Sequence, residues 1–347
     1  MRAMDLYKII PRAPFHFGER GIGQEETAEF PHSDTLFAAL ISAWRLMYRP
    51  ERFDRLVEGV TSFEGAPPLR ISSAFLYIGD VYFLPRPAIP LEGSDGDRKR
   101  GKKVAYLSWR RADDLADSEV PPTVQARDTL MSGRLWVHPR EKRSILATLG
   151  VDDASEVQAW SQAEAEAMAR VTVDRVDCSS ALYYQGMVHF AEGCGFYLLA
   201  DLADEGYRRS LEDGLEFLGE QGLGGRRSVG LGQFEVEKRT SEALGVPAGK
   251  ENYHWLLSLY HPTQEEVKDR GVLSGARYSL MTRRGWIYSP DDASQRRRAI
   301  RMLAEGSLLR QSVVGEVVDI RPAGGFPHAV WRSGLALTVM TRRWRHA

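Results

Sequence analysis

The sequence has little of what marks membrane and secreted proteins. It contains two cysteines, Cys178 and Cys194, in 347 residues, too few for a zinc site on their own and implausible as a disulfide scaffold at this length. It has no run of about eighteen apolar residues that could span a membrane. The N-terminal stretch MRAMDLYKIIPRAPF lacks the apolar core and cleavage site of a signal peptide. We therefore expect a cytoplasmic protein without membrane contact.

The chain also lacks an excess of either charge. Its 46 lysines and arginines face 47 aspartates and glutamates, for a formal net charge of −1, so overall basicity does not indicate a nucleic-acid-binding protein. The charges are unevenly distributed, because residues 98–111 contain seven positive residues and no acidic one. Such a strip is compatible with one surface that faces nucleic acid, or with a solvated loop.

Hydrophobic periodicity predicts an α+β fold for the first 245 residues. Ser33 or Asp34 is well suited to cap the first predicted helix. The predicted elements are a strand at 6–11, a helix at 33–48, strands at 70–78, 80–87, 180–191 and 195–203, a helix at 204–219 and a strand at 232–238. The region 88–170 differs in composition and is predicted to be an insertion outside the central sheet, with a polar helix over 152–171. Without it, the order is that of a ferredoxin-like, or RNA-recognition-motif-like, domain.

The remaining residues predict a second unit. A break at 241–252, SEALGVPAGKEN, separates residues 1–245 from a smaller α+β domain of related type at 246–347. Near its start, Thr263 is expected to cap a short helix that has Glu265 and Glu266 in its first turn.

A cluster of glycines stands out between the helix at 204–219 and the strand at 232–238. The stretch GEQGLGGRRSVGLGQFEVE begins at residue 219, and its glycines are Gly219, Gly222, Gly224, Gly225, Gly230 and Gly232. A P-loop would require lysine where Gly225 stands, and a dinucleotide fingerprint would require glycine where Arg227 stands. Gly219 is explained as a helix terminator. The others predict close backbone approach to a ligand such as a nucleic-acid phosphate, which Arg226 and Arg227 could also bind.

With these features in place, the chain resembles the RAMP proteins of CRISPR effector complexes. More specifically, it resembles the family of the fourth subunit of the type III-A Csm complex. The matching motifs extend over essentially the whole chain: HFGERGIGQEE (16–26), HSDTLFAAL (32–40), SSAFLY with VYFLPRP (72–87), LGEQGLGGRRSVGLGQF (218–234), LLSLYHPT (256–263), RRGWIYS (283–289), AEGSLL (304–309) and GEVVDIRP (315–322). Residues 88–170 match in character only.

The resemblance implies two ferredoxin-like RAMP domains with a thumb-like lobe. It also implies an RNA-binding scaffold that holds the repeat-derived 5′ handle of the CRISPR RNA. The implied partners are that RNA, the large polymerase- or cyclase-like subunit, the backbone RAMP subunit and, indirectly, the target RNA. No active site, cofactor or metal is implied. With two lysines of the basic strip added, the expected RNA-binding residues are Phe17, Gly18, Glu19, Arg20, Gly21, Gly23, Ser33, Asp34, Thr35, Lys102, Lys103, Gly222, Gly224, Gly225, Arg226, Arg227, Ser228 and Gly230.

Two alternatives stay open from the sequence. Some RAMP proteins cut precursor RNA by metal-independent, histidine-based chemistry, and of the eight histidines here His16 and His32 are the best candidates for it. The other alternative is a subunit that only contacts proteins, with the loop glycines serving subunit packing.

Overall fold

The architecture is that of a computed structural model. It describes residues 4–18, 29–93, 98–118, 123–163, 170–173, 180–183, 186–240, 252–269, 271–287, 295–323 and 326–342.

Strands are numbered in chain order. In the first part of the chain they are β1 (Asp5–Pro11), β2 (Leu69–Ile71), β3 (Phe75–Ile78), β4 (Val81–Pro85), β5 (Tyr106–Ser108), β6 (Thr129–Leu130), β7 (Leu135–Trp136), β8 (Trp160–Ala163), β9 (Arg170–Val173), β10 (Ser180–Tyr183), β11 (Met187–Phe190), β12 (Cys194–Leu202) and β13 (Phe234–Thr240). The later strands are β14 (Asn252–Leu256), β15 (Leu280–Arg283), β16 (Ile300–Leu303), β17 (Leu308–Leu309), β18 (Val317–Asp319), β19 (Trp331–Ser333) and β20 (Thr338–Arg342).

The helices are numbered in the same way. They are α1 (Ser33–Met47), α2 (Pro50–Thr61), α3 (Arg98–Lys103), α4 (Trp109–Asp117), α5 (Pro139–Leu149), α6 (Gly206–Gln221) and α7 (Gln264–Lys268). Helix α2 is absent from the elements predicted above. Its signal is present in the sequence, because Pro50 stands at the first helical position and Leu56, Val57 and Val60 are its buried residues.

The main body is a nine-stranded sheet with the order β13-β1-β12-β3-β4-β5-β7-β6, in which β2 also pairs with β12. The first four strands of this order are antiparallel to their neighbours. The single predicted strand at 70–78 is divided into β2 and β3 by residues 72–74. In this break the backbone N–H of Ser73 donates a hydrogen bond to the carbonyl of Leu257.

The two faces of the sheet are covered differently. On β1, Tyr7 and Ile9 pack into the core formed with α1 and α6, while Leu6 belongs to a second core on the opposite face. That second core includes Trp255 and Leu308 of the C-terminal domain, both fully buried. The sheet is therefore enclosed between helices on one side and the C-terminal domain on the other. The face that RNA-recognition-motif domains use for RNA is buried here.

The inserted segment differs from its prediction in two ways. The expectation that 88–170 lies outside the central sheet is wrong for β5, β6 and β7, which extend that sheet beyond β4. The polar helix expected over 152–171 is also wrong where the structure describes it, because a 3₁₀ turn at 154–156 is followed by β8. Strands β8 and β11 pair with each other, as do β9 and β10, in two small ribbons separate from the large sheet.

The C-terminal domain also differs from its prediction. A ferredoxin-like domain needs two helices on a four-stranded sheet. The described part of 252–342 has one helix, the five-residue α7, and three small sheets, β17-β14-β20, β15-β16 and β18-β19. This arrangement does not support a second ferredoxin-like domain. The predicted cap of α7 is confirmed, since Thr263 and Glu266 form a reciprocal capping box.

Candidate nucleic-acid interface

The glycine loop, residues 222–233, connects α6 to β13. Helix α6 continues through Gly219 to Gln221, so the prediction that Gly219 terminates the helix is wrong. A Cβ on Gly219 would lie 2.5 Å from the carbonyl oxygen of Phe234, and glycine therefore lets the helix pack closely on β13. The helix ends at Gly222, whose φ of +84° is the left-handed conformation that glycine adopts without strain.

The loop is fixed against residues 12–18, the chain that leaves β1. The N–H of Gly225 donates to the carbonyl of His16 over 2.8 Å, and the N–H of Gly232 donates to Pro14 over 2.8 Å. Gly224 has a φ of +98°, and a Cβ there would lie 2.5 Å from the carbonyl oxygen of His16. Leu223 anchors the loop in the core, with 1% of its surface exposed. The loop is therefore held in place by these hydrogen bonds and by the burial of Leu223, and residue 224 must be glycine for steric reasons.

The outer part of the loop carries the polar groups. Arg226 has a left-handed φ of 59°, uncommon for a non-glycine residue, and it leads into a 3₁₀ turn at Arg227–Val229. Ser228, Val229 and Gly230 are exposed, while the two arginines are partly buried. An exposed turn flanked by two guanidinium groups offers backbone and side-chain donors to a phosphate.

The neighbouring residues Phe17 and Gly18 differ in exposure to solvent. Phe17 is 5% exposed, and its ring stacks on Phe15 at a centroid distance of 5.4 Å. The ring of Phe17 therefore does not form the RNA contact that we expected. It lies in the core and packs next to Gly224. Gly18 is exposed. The other predicted residues of this segment, Glu19, Arg20, Gly21 and Gly23, lie outside the described residues.

The start of α1 does not form the open surface that we expected. Ser33 and Asp34 are each 2% exposed. The Ser33 hydroxyl accepts a hydrogen bond from the N–H of Leu259 at 3.0 Å, and Asp34 is held by Arg283 and Arg332 of the C-terminal domain. Placing these two residues on an RNA surface is a wrong prediction, because they are buried between the two domains.

Asp34 also does not cap α1. The helix begins after His32 without a side-chain cap, and Asp34 instead accepts a bidentate pair of hydrogen bonds from Arg283, with N–O distances of 2.9 and 3.0 Å. Arg332 donates to the same carboxylate at 2.6 Å, and Thr35 accepts a hydrogen bond from Arg283 at 3.1 Å. Burial opposes ionisation of Asp34, but the two arginines outweigh it and hold its pKa well below the usual range.

Positive charge is in excess around this carboxylate. Burial lowers the pKa of Arg332 to about 10, against the favourable effect of Asp34. Burial also lowers the pKa of Arg297, which is close enough to sense both Asp34 and Arg283. We did not predict this group of arginines from the sequence, although 283 and 284 are part of the motif RRGWIYS. The sequence signal was an arginine-rich stretch, but nothing in its spacing identified an aspartate about 250 residues earlier as the partner.

The two candidate histidines both have hydrogen bonds within the chain. His32 Nδ1 lies 2.8 Å from Glu305 Oε1, and Ser73 also donates to that carboxylate. Burial alone would raise the pKa of Glu305, but the interactions with His32 and Ser73 outweigh this effect, so the pKa lies below the usual value. His16 Nδ1 lies 2.8 Å from the carbonyl oxygen of Gly186, and the residue is 9% exposed. Both rings are packed against protein in this structure.

The two lysines of the basic strip lie far from the glycine loop. Lys102 and Lys103 are exposed at the end of α3, directly before β5. Strand β5 is five positions away from β13 in the sheet, which is roughly 24 Å at the usual spacing of strands. The structure therefore does not bring these lysines and the glycine loop into one compact site. Within the same strip Arg111 is buried, with Asp114 and Asp128 nearby.

Metal sites and membrane-spanning helices are both absent from the described residues. No group of three or more histidine, cysteine, aspartate or glutamate residues could hold a metal ion among them. In the same part of the chain, every helix is too short or too polar to cross a membrane.

Comparisons with known proteins agree with this architecture. A family model described as the CRISPR Csm4 C-terminal domain matches residues 249–341. The CRISPR system Cms protein Csm4 of Methanocaldococcus jannaschii is 25% identical over 348 residues, covering 92% of this chain and 89% of that protein. The protein of the same name from Thermococcus onnurineus is 27% identical over 345 residues, covering 96% and 94%.

Solved structures show the same fold. A chain in the crystal structure of a Csm3–Csm4 subcomplex from a type III-A CRISPR-Cas interference complex superposes with a TM-score of 0.67 at 20% identity, covering 97% of this chain and 99% of that one. A chain in the Csm1–Csm4 cassette bound to cA4 gives a TM-score of 0.61 at 21% identity, covering all of both chains.

The fold and these matches define the class of the protein, a mixed α+β subunit of a type III CRISPR effector. Within that class, residues 249–341 match the Csm4 C-terminal domain, and the chain over nearly its whole length is similar to Csm4 proteins.

Proposed function

We propose that the chain is a non-catalytic RNA-binding subunit of a cytoplasmic type III-A CRISPR effector complex. In this proposal it anchors the repeat-derived 5′ handle of the CRISPR RNA and needs no cofactor. The glycine loop holds the sugar-phosphate path of the handle, and other surfaces of the chain contact neighbouring subunits.

The strand order of the N-terminal body supports the RAMP part of this proposal. The four strands of the predicted domain are, in chain order, β1, β3, β12 and β13. In the sheet the fourth lies beside the first, the first beside the third and the third beside the second. Helices α1 and α6 pack together on one face, where the Trp44 indole N–H donates to the Ser210 carbonyl over 2.7 Å. This strand order and helix placement are those expected of a ferredoxin-like domain, and they support the RAMP assignment that we propose. The ribbons of β8 to β11 are our candidate for the thumb-like lobe, in place of the wider range 88–170.

The observation that carries the proposal is the architecture of the glycine loop. Its inner glycines bring the loop backbone against residues 14–16, and its outer turn at 228–230 is exposed between arginines. Because the opposite sheet face is buried under the C-terminal domain, we take the exposed turn of the loop as the place where an RNA strand contacts the N-terminal body. The RNA-binding residues that we propose are Gly18, Gly222, Gly224, Gly225, Arg226, Arg227, Ser228 and Gly230, with Glu19, Arg20, Gly21 and Gly23 as predictions outside the described residues. Thr35 is left out because Arg283 donates to its hydroxyl beside the buried Asp34, and Lys102 and Lys103 are left out because they lie far from the glycine loop.

The partners follow from the relatives. Solved structures contain Csm4 with Csm3 in one case and with Csm1 in another. By extension, this chain contacts the large polymerase-like subunit on one side and the backbone RAMP subunit on the other. The target RNA is reached only through the assembled complex.

The test of the proposal is a double variant, Arg226→Ala with Arg227→Ala. Binding of a handle-bearing CRISPR RNA to the purified full chain is measured by fluorescence anisotropy over a range of salt concentrations. Each single-strand phosphate contact contributes about −0.7 to the slope of log K against log salt. We expect the double variant to bind more weakly and to have a slope flatter by about 1.4, which is two contacts at that value.

The control removes the same charge elsewhere, by Lys102→Ala with Lys103→Ala. Because these lysines lie far from the loop, the control is expected to bind the handle more tightly than the arginine variant. An unchanged affinity and slope in a correctly folded arginine variant would remove the loop from the RNA site.

A separate assay addresses catalysis. Purified chain is incubated with repeat RNA in the presence of a metal chelator, and the products are separated by length. The proposal expects intact RNA. Specific cleavage that is lost in His16→Ala or His32→Ala would favour a RAMP endoribonuclease instead.

A further inference from the structure

The C-terminal domain contains a hairpin that is unusually rich in arginine. We call it the arginine hairpin, residues 280–287 and 295–303. Its strands β15 and β16 pair antiparallel, and the pairing continues outward through the bridge between Trp286 and Arg296. These two segments, 280–287 and 295–303, include six arginines and no aspartate or glutamate. For a chain of net charge −1, this is a strong local excess of one sign.

One side of the hairpin is committed to the N-terminal domain. Arg283 binds Asp34 at the start of α1, while Met281 and Met302 pack with Leu259 of the C-terminal domain itself. The ion pair with Asp34 therefore places the hairpin beside the start of α1. Helices α1 and α6 run antiparallel, with Gly214 close to Leu40 and Trp44. The start of α1 therefore lies at the same end of the helical layer as the end of α6, where the glycine loop begins.

The exposed residues of the hairpin include both arginine and large apolar side chains. Arg284, Arg296 and Arg301 are exposed, and no carboxylate among the described residues forms an ion pair with any of them. Leu280 is 58% exposed and Trp286 is 44% exposed. Asp291 and Asp292 of the connecting segment lie outside the described residues.

The aromatic and cationic groups are interleaved. The guanidinium carbon of Arg296 lies 4.9 Å from the centroid of the Trp286 ring. Arg301 pairs in register with Thr282, about 13 Å along the strand from the level of Trp286. The exposed groups therefore form an extended surface and not a single point.

From this arrangement we infer that the arginine hairpin is a second RNA-binding surface, which holds the backbone of single-stranded RNA outside the glycine loop. The guanidinium forks bind phosphate oxygens bidentately, and Trp286 provides a ring for base stacking. Because stacking and phosphate contacts tolerate any base, the surface binds RNA without sequence preference.

Charge favours RNA over a protein partner as the ligand. A protein surface that covered the hairpin would have to offer acceptors to three exposed arginines that form no ion pair with a described carboxylate, and bury Trp286 and Leu280 as well. A single RNA strand offers one negative charge per nucleotide beside a stackable base, and this matches the alternation of arginine and aromatic groups.

The test uses the full chain and a fluorescein-labelled single-stranded RNA of mixed sequence without any repeat-derived part. Affinity is measured by anisotropy between about 50 and 300 mM salt, with the triple variant Arg284→Ala, Arg296→Ala, Arg301→Ala. We expect a loss of affinity of about tenfold or more at 100 mM salt and a slope flatter by about 2, from three contacts of about 0.7 each. Trp286→Ala is expected to weaken binding at least about fivefold without changing the slope.

The matched control removes three exposed arginines from the N-terminal domain, Arg55, Arg127 and Arg209, and should leave affinity and slope close to those of the unaltered chain. Urea unfolding of each variant confirms the fold. The inference is wrong if the unaltered chain does not bind this RNA at 50 mM salt, or if the triple variant matches either the unaltered chain or the control. It is also wrong if the triple variant keeps RNA binding and loses only its assembly with Csm1 or Csm3, since the hairpin would then be a protein-docking surface. The triple variant leaves Arg226 and Arg227 in place, so a loss that appears in the triple variant and not in the control is assigned to the hairpin, whatever the outcome of the test of the glycine loop.

Discussion

The glycine loop and the start of α1 make an instructive pair. Both carry polar residues beside a helix end, and both were predicted to face RNA. In the structure, the glycine loop has an exposed outer turn at 228–230, while Asp34 is buried by two arginines of the other domain. The same kind of sequence pattern therefore produced an open surface in one place and a domain contact in the other.

The difference arises from what covers each region. The loop lies at the end of α6 and is backed by its own domain through Leu223 and the carbonyl of His16. The start of α1 faces the C-terminal domain, whose arginines come from more than 240 residues later in the chain. Polar residues at a helix start show that a partner is required, but not whether it is a ligand or another part of the protein.

The largest predicted effect concerns the buried side of this pair. Asp34→Asn keeps the shape of the side chain and removes its charge, which leaves Arg283 and Arg332 buried without a counter-ion. Breaking a buried ion pair by removing one partner costs about 3–5 kcal/mol. We expect a loss of that size in the free energy of unfolding, measured by urea denaturation. The control Asp54→Asn, on the exposed side of α2, should change stability by less than about 0.5 kcal/mol. A loss below about 1 kcal/mol for Asp34→Asn would contradict the buried contact.

The same variant gives a pH test with a defined sign. The pKa of Asp34 is lower in the folded chain than its unfolded value of about 3.9. Its contribution to stability is therefore fully present above that value and is lost as the pH falls below about 4. We expect the stability difference between the unaltered chain and Asp34→Asn to shrink over this acidic range. A difference that stayed constant from pH 7 to about pH 3 would contradict the assigned pKa direction.

A smaller effect is predicted for two glycines of the open loop. Gly224→Ala combines a left-handed φ of +98° with a Cβ 2.5 Å from the carbonyl oxygen of His16, whereas Gly230→Ala has a φ of +84° and, among the described residues, no atom within 4 Å of its Cβ. Left-handed backbone alone costs an alanine about 1–2 kcal/mol. We expect Gly230→Ala to lose about 1 kcal/mol and Gly224→Ala clearly more, by urea denaturation. Equal losses would show that the close approach of the His16 carbonyl does not add to the cost of an alanine at 224.

The smallest predicted effect is at Gly18. This glycine has no left-handed φ, and no atom of the described residues would lie within 4 Å of a Cβ added to it, so alanine removes conformational freedom from the unfolded chain without adding strain there. Gly18→Ala is expected to be neutral or to stabilise by about 0.4–1 kcal/mol, again by urea denaturation. A marked loss of stability would mean that residue 18 has a tighter environment than the rest of the open region.

Local patterns predicted the elements of the N-terminal body well. The strand at 6–11, the helix at 33–48 and the helix at 204–219 all correspond to elements of the structure, because their apolar residues follow the period of a strand or a helix. The position of the glycine loop between α6 and β13 was also predicted correctly. Its packing against His16 could not be predicted, since it depends on where the loop after β1 runs.

Long-range pairing limited the remaining predictions. Strand β5 has three residues and β7 has two, too few for a period of two to be visible in the sequence. Phe17 is an RNA contact in what the resemblance implies, but aromatic contacts with Phe15 and Phe196 place its ring in the core. In each case the outcome was decided by residues distant in the sequence.

The burial of the aromatic sheet face has a consequence for folding. Tyr77, Tyr82 and Tyr197 are at most 6% exposed, and they belong to the same core as Trp255 and Leu308 of the C-terminal domain. Separating the domains would expose this core and the charge of Asp34 together. The two domains are therefore expected to unfold in one cooperative transition, and residues 1–245 alone would not be a stable substitute for the whole chain.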